Sequence, residues 1–378
     1  MARCWGKMDS IRHLYVHVPF CPTVCPFCSF DVLTRRSGQV DHYLSQVALE
    51  LTALNDLHDF DLETVYFGGG TPTHLRPHEL NRLVELVSQH CGWASSEATI
   101  EVHPLNVHSE TPSQLVELGF NRLSLGAQSF DDAVLKHLGR PYTARVAMES
   151  LDRCLGVGDL ATIGVDIITA VDSQVVTADL EYGFSSGAHH VSAYTLTIED
   201  GTPFGDAGMV VAEARQLEAF EAARSGALRY GFEHYEVSNF CRPGYQSLHN
   251  LAYWENNYFL GLGPSAASHL LAGQGLTVRT TNAPFQQWLE GALPREEPRT
   301  SLEVMTDAVF AGLRQLRGVD IGQTIQQSGI DPLEALRQPI ARLVEGGLIA
   351  HHGERLRATE AGILVLDQVI ATLFADLD

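Results

Sequence analysis

The sequence predicts an α/β protein, built as a partial barrel of six βα units and followed by a small, mainly helical, winged-helix-like domain. Short apolar or β-branched runs alternate with longer stretches whose apolar residues recur at helical spacing, which is typical of parallel βα units. This alternation ends near residue 200, and helices around a short hairpin begin near residue 300. Six units over about 200 residues suit a partial barrel better than a closed barrel of eight strands.

The barrel prediction depends on six candidate strands and on the helical patterns between them. The strands are residues 13–18, 63–68, 98–103, 122–127, 162–168 and 190–196. The helical patterns cover residues 40–56, 78–90, 111–119, 144–158 and 177–187. In the third of these patterns, Thr111 is the predicted N-cap and Gly119 the predicted C′ residue.

The rest of the chain has a different character. A predicted helix at 213–232 precedes an irregular, aromatic-rich stretch, and the later helices enclose a hairpin-like segment at 348–358. We therefore expect a barrel over 1–235, an irregular segment over 236–299 and a winged-helix-like domain over 300–378. Winged helices often bind DNA, but this one has no basic cluster, so we expect a packing or partner module.

The composition restricts the compartment and the partners. The chain has 378 residues, with 46 Asp and Glu against 25 Lys and Arg, and its formal net charge is −21. Because phosphate binding needs a basic surface, we do not expect a nucleic acid as the main partner. No apolar run approaches the roughly 20 residues of a membrane span, and the N-terminal residues lack the apolar stretch of a signal peptide. We expect a cytoplasmic protein.

Three of the seven cysteines form a cluster directly after the first predicted strand. Cys21, Cys25 and Cys28 have the spacing C-x3-C-x2-C. An odd number of cysteines with one tight cluster is a poor disulfide framework, and the spacing instead suits a metal site. The remaining cysteines are Cys4, Cys91, Cys154 and Cys241, which are scattered along the chain. We expect the last three of these to be ordinary packed thiols.

Thiolates are ligands for zinc or for iron–sulfur clusters. A structural zinc site needs a fourth ligand, and His17 is the nearby candidate. A [4Fe–4S] cluster held by three cysteines leaves one iron free to chelate the amino and carboxylate groups of S-adenosylmethionine. An electron passed into the sulfonium then gives a 5′-deoxyadenosyl radical, which is chemistry of the cofactor. The three-cysteine loop therefore favours the cluster over zinc.

With these motifs the sequence resembles the radical SAM superfamily, and within it the oxygen-independent coproporphyrinogen III oxidase group and the related haem chaperone family HemW. The resemblance covers nearly the whole chain and implies a partial (β/α)6 barrel with the cluster at one mouth. It implies that the three cysteines ligate the cluster. It further implies that S-adenosylmethionine is bound by Tyr15, Phe27, Gly69, Gly70, Thr71, Glu101, Gln128, Arg140 and Asp166.

Each of these residues also has a simpler explanation. The glycines in "FGGGTPT" are by themselves a tight strand-to-helix turn. Placed one βα unit after the cysteines, the same turn is expected to meet the amino group of S-adenosylmethionine. The polar residues could be capping or surface groups, but they share the carboxyl ends of the strands, where barrel chemistry collects.

Two features separate the chaperone from the oxidase. The oxidases carry a further cysteine beyond the third one and a longer segment before the cluster, whereas this chain has Ser29 and Phe30 there and twenty residues before Cys21. The chain also contains "HNLAYW" (249–254), which resembles the haem-binding signature of the chaperone group. His249 could ligate haem iron, and Trp254 and Tyr253 could stack on a porphyrin face. Alternatively, His249 and Asn250 bond backbone groups and Trp254 fills core.

The chain departs from the family pattern at two places near the expected S-adenosylmethionine pocket. Thr169, Ala170 and Val171 replace a glycine-leucine-proline turn, and His103 replaces an asparagine. His103 could add a ligand or lie at the surface. Such changes suit a binding protein better than an enzyme that turns over.

We therefore expect a haem chaperone that carries a [4Fe–4S] cluster, binds S-adenosylmethionine and passes haem to an unidentified acceptor protein. The alternative is an enzyme, either a coproporphyrinogen III oxidase or a radical SAM enzyme with another substrate. A third hypothesis is a protein in which the cluster is only structural. Peripheral docking to a membrane enzyme is compatible with each of them.

Overall fold

The computed structural model describes residues 10–272, 275–375 and 377, so Cys4 and the rest of residues 1–9 lie outside the described part. Its strands in chain order are β1 (Ile11–Val18), β2 (Phe20–Cys21), β3 (Leu33–Thr34), β4 (Phe60–Gly69), β5 (Glu97–Val102), β6 (Arg122–Gln128), β7 (Thr162–Thr169), β8 (His190–Thr195), β9 (Glu233–Glu236), β10 (Asn239–Cys241), β11 (Leu260–Leu262), β12 (Ala267–Ala272), β13 (Leu276–Thr281), β14 (Arg295–Arg299), β15 (Val319–Asp320), β16 (Ile349–His352) and β17 (Arg355–Ala358).

The helices cover the sheet and build most of the C-terminal region. In chain order they are α1 (Gln39–Asn55), α2 (Pro77–Cys91), α3 (Thr111–Glu117), α4 (Asp132–His137), α5 (Ala144–Leu155), α6 (Val176–Ser185), α7 (Pro203–Asp206), α8 (Glu213–Tyr230), α9 (Leu248–Trp254), α10 (Phe285–Leu289), α11 (Ser301–Gly312), α12 (Ile321–Ser328), α13 (Pro332–Ala335), α14 (Arg337–Glu345), α15 (Glu360–Ile363) and α16 (Leu366–Phe374).

The large sheet has the strand order β11-β1-β4-β5-β6-β7-β8-β10-β9. The six strands predicted from the sequence, β1 and β4 to β8, are consecutive neighbours in it and are parallel. One edge ends at β11, which is parallel to β1, and the other continues into the antiparallel β10 and β9. The predicted α/β fold with a partial barrel is confirmed.

Each parallel strand has one apolar and one polar face. The apolar residues of β1, such as Leu14 and Val16, belong to a buried core that also contains Tyr43 and Leu44 of α1. Their neighbours in the sequence point to the other face, where side chains from different strands bond to one another, as His13 does to Thr64. The helices therefore pack on the apolar face, and the barrel interior is polar.

The segment predicted to be irregular contains regular structure. Within residues 236–299 the chain forms α9, α10 and the strands β10 to β14, and β12, β13 and β14 pair as a separate antiparallel sheet. These strands are rich in polar residues, and β14 contains Pro298, which an edge strand accommodates. Backbone hydrogen bonds between the strands hold this sheet together. Because such pairing does not depend on apolar side chains, the sequence shows only a weak apolar pattern here.

The C-terminal region has helices around a short hairpin, as the sequence predicts. α11 is followed by β15, α12, α13, α14 and the hairpin of β16 and β17, which precedes α15 and α16, and β15 pairs with β17. The region has its own buried cluster, which includes Met305, Val309, Leu343, Leu356 and Val369. α12 was not among the predicted helices.

One predicted cap differs from the structure. Thr111 is the first residue of α3 and Glu110 is its N-cap. The Thr111 hydroxyl accepts from the backbone N–H of His108 at 3.1 Å instead of from its own helix. Gly119 follows the C-cap residue Leu118 and has a φ of 96°, as expected for the C′ position.

Candidate functional site

The cysteine cluster lies on the loop that joins β2 to β3, at the carboxyl edge of the parallel strands. Cys25 is buried, and Cys21 and Cys28 are partly buried. The backbone N–H of Cys28 donates to the Cys25 carbonyl at 3.1 Å, which folds the loop into a turn. Burial raises the pKa of Cys21 to about 11 and also raises that of Cys28. Both are therefore thiols at neutral pH until a bound cation displaces their protons.

The end of this loop is tied to the segment after β11. Oδ2 of Asp31 accepts from the Ser265 hydroxyl at 2.7 Å and from the Phe285 backbone N–H at 3.0 Å. Its backbone carbonyl bonds Nε2 of His17 at 3.0 Å, and Nδ1 of His17 bonds the Tyr15 hydroxyl at 3.0 Å. Both His17 nitrogens therefore have partners, which argues against His17 as a fourth ligand for zinc.

Within the described ranges, no three His, Cys, Asp or Glu side chains converge as they would around one metal ion.

The glycine turn after β4 packs directly on the cysteine loop. The backbone N–H of Gly70 donates to the Val18 carbonyl at 2.9 Å, and the Thr71 hydroxyl lies 3.6 Å from the sulfur of Cys21. Gly69 has a φ of 98°, and a Cβ there would collide with the His17 ring. A Cβ at Gly70 would come within 2.7 Å of the Val18 carbonyl oxygen. Both positions therefore need glycine to bring the backbone close to the cysteine loop.

Arg140 lies in the turn after α4 and contacts the cysteine loop. Its guanidinium donates to the sulfur of Cys25 at 2.9 Å, and its Nε donates to the Tyr142 hydroxyl at 2.9 Å. The Tyr142 hydroxyl in turn donates to the carbonyls of Gly126 and Ala127, both at 3.0 Å. A cation fixed in this way holds the Cys25 side chain in place and would also suit a carboxylate ligand.

Glu101 connects the glycine turn with the barrel interior. Its carboxylate accepts from the backbone N–H of Gly69 at 3.2 Å and from the Tyr66 hydroxyl at 2.8 Å. Burial, together with the negative charge of Asp166, raises the pKa of Glu101 to about 7, although the Tyr66 hydrogen bond lowers it. Glu101 can therefore hold or release a proton near neutral pH.

The other predicted contacts with S-adenosylmethionine lie around the same mouth. Asp166 accepts from the Ser124 hydroxyl at 3.0 Å, and burial raises its pKa. Gln128 ends β6 with a φ of 65°, beside Gly126. Phe27 is partly buried in a small apolar cluster, and its ring centroid lies 6.4 Å from that of Phe204. No hydrogen bond between the described side chains joins Gln128 or Phe27 to the other predicted residues.

The two departures from the family pattern have local explanations. His103 is only 6% exposed, so it is not a surface residue, and its Nδ1 accepts from the backbone N–H of Leu105 at 3.2 Å. Burial lowers its pKa to about 3. Ala170 has a φ of 63°, so the turn adopts a left-handed conformation without the glycine that accommodates it best.

The motif "HNLAYW" forms α9, which closes the opposite end of the barrel. His249 is 1% exposed and lies inside, where its ring centroid is 5.2 Å from that of Tyr66. Its Nδ1 bonds the Thr64 hydroxyl at 2.7 Å, and its Nε2 bonds the Tyr253 hydroxyl at 2.8 Å. Burial lowers the pKa of His249 to about 3, so the ring is neutral, with one donor and one acceptor nitrogen.

Tyr253 relates this motif to the residues at the open mouth. His249 and Tyr253 are four positions apart on α9 and share one face, as the helical interpretation of the motif requires. Burial, and next the charge of Glu101, raise the pKa of Tyr253. The His249 ring, which Tyr253 bonds, lies against Tyr66, and the Tyr66 hydroxyl bonds the Glu101 carboxylate at 2.8 Å.

The polar interior contains residues that were not among the sequence candidates. They include His13, Thr64, Tyr66, Glu97, Arg122, Ser124, His190 and Tyr194, which share the polar face of the strands. The signal was present in the sequence as period-two alternation, for example in "HLYVHV" and "TVYFG". Parallel strands buried on both faces are usually continuously apolar, so polar residues at every second position indicate a polar cavity.

The donor chemistry at the open mouth fits a cluster with bound S-adenosylmethionine. Three free thiols, a glycine cradle without space for a Cβ, a carboxylate and an arginine meet at one edge of the sheet. The polar faces of the parallel strands lie directly below them. These features define the cluster-bearing domain of a radical SAM protein.

Comparisons with known proteins agree with this class. The radical SAM superfamily model matches residues 15–172, and the model of the HemN C-terminal domain matches residues 300–365. The heme chaperone HemW of Mycobacterium tuberculosis is 31% identical over 95% of this chain and 94% of its own. That of Bacillus subtilis is 28% identical over 97% and 100%. A mouse protein named radical S-adenosyl methionine domain-containing protein 1, mitochondrial, is 32% identical over 96% and 87%.

The chain therefore belongs to the HemW family of radical SAM proteins. Coproporphyrinogen III oxidase (HemN) from Escherichia coli has a similar structure, with a TM-score of 0.79 over 96% of this chain and 90% of the other. At 21% identity this likeness establishes the fold alone. No helix in the described part of the chain has the length and apolar character that crossing a membrane requires.

Proposed function

We propose that the protein is a haem chaperone, which binds haem and transfers it to an acceptor protein while carrying a [4Fe–4S] cluster and S-adenosylmethionine. The observation that carries this proposal is α9, because it builds "HNLAYW" into the closed end of the barrel as an ordered structure. Relatives that align over nearly their whole length bear the name heme chaperone HemW. Ser29 and Phe30, where the oxidases continue with a cysteine, point in the same direction.

Cys21, Cys25 and Cys28 would hold the cluster, and the cluster would supply the open iron and the electron for S-adenosylmethionine. The backbone at Gly69 to Thr71 and the carboxylate of Glu101 would receive the amino end of that ligand. Arg140 orients the loop through the Cys25 sulfur. Tyr15, Phe27, Gln128 and Asp166 remain proposed members of this site.

His249 remains the proposed haem-binding residue of the motif. Its two nitrogens already bond Thr64 and Tyr253, so direct ligation of iron by His249 requires one of these bonds to break. The Tyr253 bond is the one on its own helix, and rotation of that phenol would free Nε2 without disturbing the sheet. We therefore place the ligating atom, if His249 binds iron, at Nε2.

The alternative function is that of an oxygen-independent coproporphyrinogen III oxidase. One observation favours it, since the polar faces of the strands beneath the cysteine loop carry partly exposed groups that could act on a substrate. Glu101 has a pKa near 7, and Tyr194 is 41% exposed. The chaperone and the oxidase differ in what happens to a tetrapyrrole, which can be measured directly.

The test is a haem titration of anaerobically reconstituted protein, followed at the Soret band. Wild type is compared with His249→Ala and with His58→Ala, which removes a buried histidine outside the motif. Saturable one-to-one binding, weakened only by His249→Ala, supports the chaperone and its site. Absence of binding above background, or steady conversion of coproporphyrinogen III to protoporphyrinogen, would transfer the assignment to the oxidase.

We also propose the cytoplasm as the compartment and keep the division at 1–235, 236–299 and 300–378 as functional units. The separate buried core over residues 305–373 supports the last of these units. The acceptor would be a haem protein, and peripheral docking at a membrane is compatible with the proposal.

A further inference from the structure

The C-terminal domain forms hydrogen bonds at the carboxyl end of α9, the helix that contains "HNLAYW". α9 ends at Trp254, and three glutamine side chains from residues 315–327 donate to three consecutive main-chain carbonyls at this end. The donor and acceptor pairs are Gln315 to Trp254 at 3.0 Å, Gln323 to Glu255 at 3.1 Å and Gln327 to Asn256 at 3.1 Å.

Trp254 is the last residue of the helix and Glu255 is its C-cap, so their carbonyls are among the groups that a helix leaves without partners at its carboxyl end. Asn256 continues the turn with a φ of 54°, so the chain leaves the helix there. Gln323 and Gln327 are four positions apart on α12 and therefore face the turn together. The three glutamines line this joint together with Trp254 and Glu255.

The other end of α9 is held by the barrel. The Glu97 carboxylate accepts from the backbone N–H groups of Leu248 and His249 at 2.9 and 3.0 Å. A helix of seven residues has too few internal hydrogen bonds to be stable alone, so its end contacts decide where it lies. A shift of α9 would separate Nδ1 of His249 from the Thr64 hydroxyl of β4.

We propose that Gln315, Gln323 and Gln327 are positioning residues through which the C-terminal domain sets the "HNLAYW" helix for haem binding. The inference rests on the proposed haem-binding function of that motif. It gives the C-terminal domain a specific task, because the domain supplies the donors for the end of the motif helix. A partner that moves this domain would thereby alter the haem site.

The test uses variants of α12 in the full-length protein. Gln323→Glu and Gln327→Glu keep the side-chain size but replace the donor with an acceptor that faces a carbonyl. Gln326→Glu adds the same charge on the exposed side of the same helix and is the matched control. The corresponding Gln→Ala pair serves as a second variant if the double Gln→Glu variant does not fold.

Two quantities are measured for each variant: haem affinity by Soret titration, and amide hydrogen exchange of residues 248–254. The double variant is expected to bind haem about tenfold more weakly, as for the loss of two hydrogen bonds of ordinary strength. Exchange in α9 is expected to rise about tenfold, with little change in the barrel strands. The Gln326→Glu control is expected to match wild type in both measurements.

The outcomes separate the two proposals. If wild type binds haem and the double variant binds it equally well, the positioning role is overturned and the chaperone proposal stands. If wild type does not bind haem, the chaperone proposal fails, and exchange decides the positioning role: faster exchange of 248–254 supports it and unchanged exchange overturns it. An equal loss in the Gln326→Glu control would also overturn it, because charge alone would then explain the effect.

Discussion

Glu97→Ala is expected to be among the most destabilising single changes in the barrel. Glu97 is 5% exposed and lies 3.8 Å from the guanidinium of Arg122, which is 4% exposed. Its carboxylate also accepts from the Ser247 hydroxyl at 3.2 Å and from the backbone N–H groups of Leu248 and His249. Removing one partner of a buried ion pair costs about 3–5 kcal/mol. The same carboxylate also caps the start of α9. We therefore expect Glu97→Ala to lower the free energy of unfolding by about 4 kcal/mol in total.

The assay is urea unfolding of the cluster-free protein, followed by circular dichroism. The free energy of unfolding of Glu97→Ala is compared with that of Glu63→Ala, which removes a surface pair. Glu63 lies 2.8 Å from Arg12, and their side chains are 35% and 63% exposed. An exposed pair contributes less than about 1 kcal/mol, so this control is expected to stay close to wild type. The transition slope should not change if the native state remains compact.

If Glu97→Ala lowers the free energy of unfolding by no more than Glu63→Ala does, the reasoning is refuted. Such a result would mean that water reaches Arg122 and the start of α9 and replaces the carboxylate. Glu97→Gln keeps an acceptor for the helix but removes the charge facing Arg122, so it is expected to fall between wild type and Glu97→Ala. Arg122→Met combined with Glu97→Gln should recover part of the loss, because it removes the uncompensated cation.

Three further predictions concern the open mouth. Asp31→Ala frees the end of the cysteine loop from Ser265 and is expected to lower the iron bound per chain after reconstitution; iron equal to wild type would contradict this. Gly69→Ala is expected to destabilise by about 1–3 kcal/mol more than Gly92→Ala, because both glycines have positive φ but only Gly69 lacks space; equal losses on urea unfolding would contradict it. Burial raises the pKa of Glu101 from 4.5 to about 7, so the folded state favours its protonated form. Stability should therefore be lost as the pH rises between these values, relative to Glu101→Gln, and parallel pH profiles of the urea midpoint would show the prediction to be wrong.

The sequence predicted those features of the fold that depend on local patterns of residues along the chain. The six parallel strands followed from apolar runs between helical patterns, and the sheet order is the simplest one that such alternation allows. Parallel strands bring their carboxyl ends to one edge, so residues as distant as Cys25 and Arg140 were expected at the same mouth, and they meet at 2.9 Å. The polar alternation along the strands was equally visible but had not been used.

The middle of the chain was harder to predict. Its strands β12 to β14 depend on pairing with one another, and their sequences have many charged and polar residues on both faces. The role of the segment after β11 was also hidden. It anchors the cysteine loop through Asp31, more than two hundred residues away along the chain.

By itself, the sequence determined the α/β class, the C-x3-C-x2-C spacing of the three cysteines and the helical face that His249 and Tyr253 share, because these depend on spacing along the chain. The tertiary structure decided which groups surround them. Glu97 meets the start of α9 and Gln315 meets its end, across 152 and 61 residues. A hydrogen bond between such distant residues exists only after the sheet and the C-terminal domain have packed, since no local pattern determines which donor will face which acceptor.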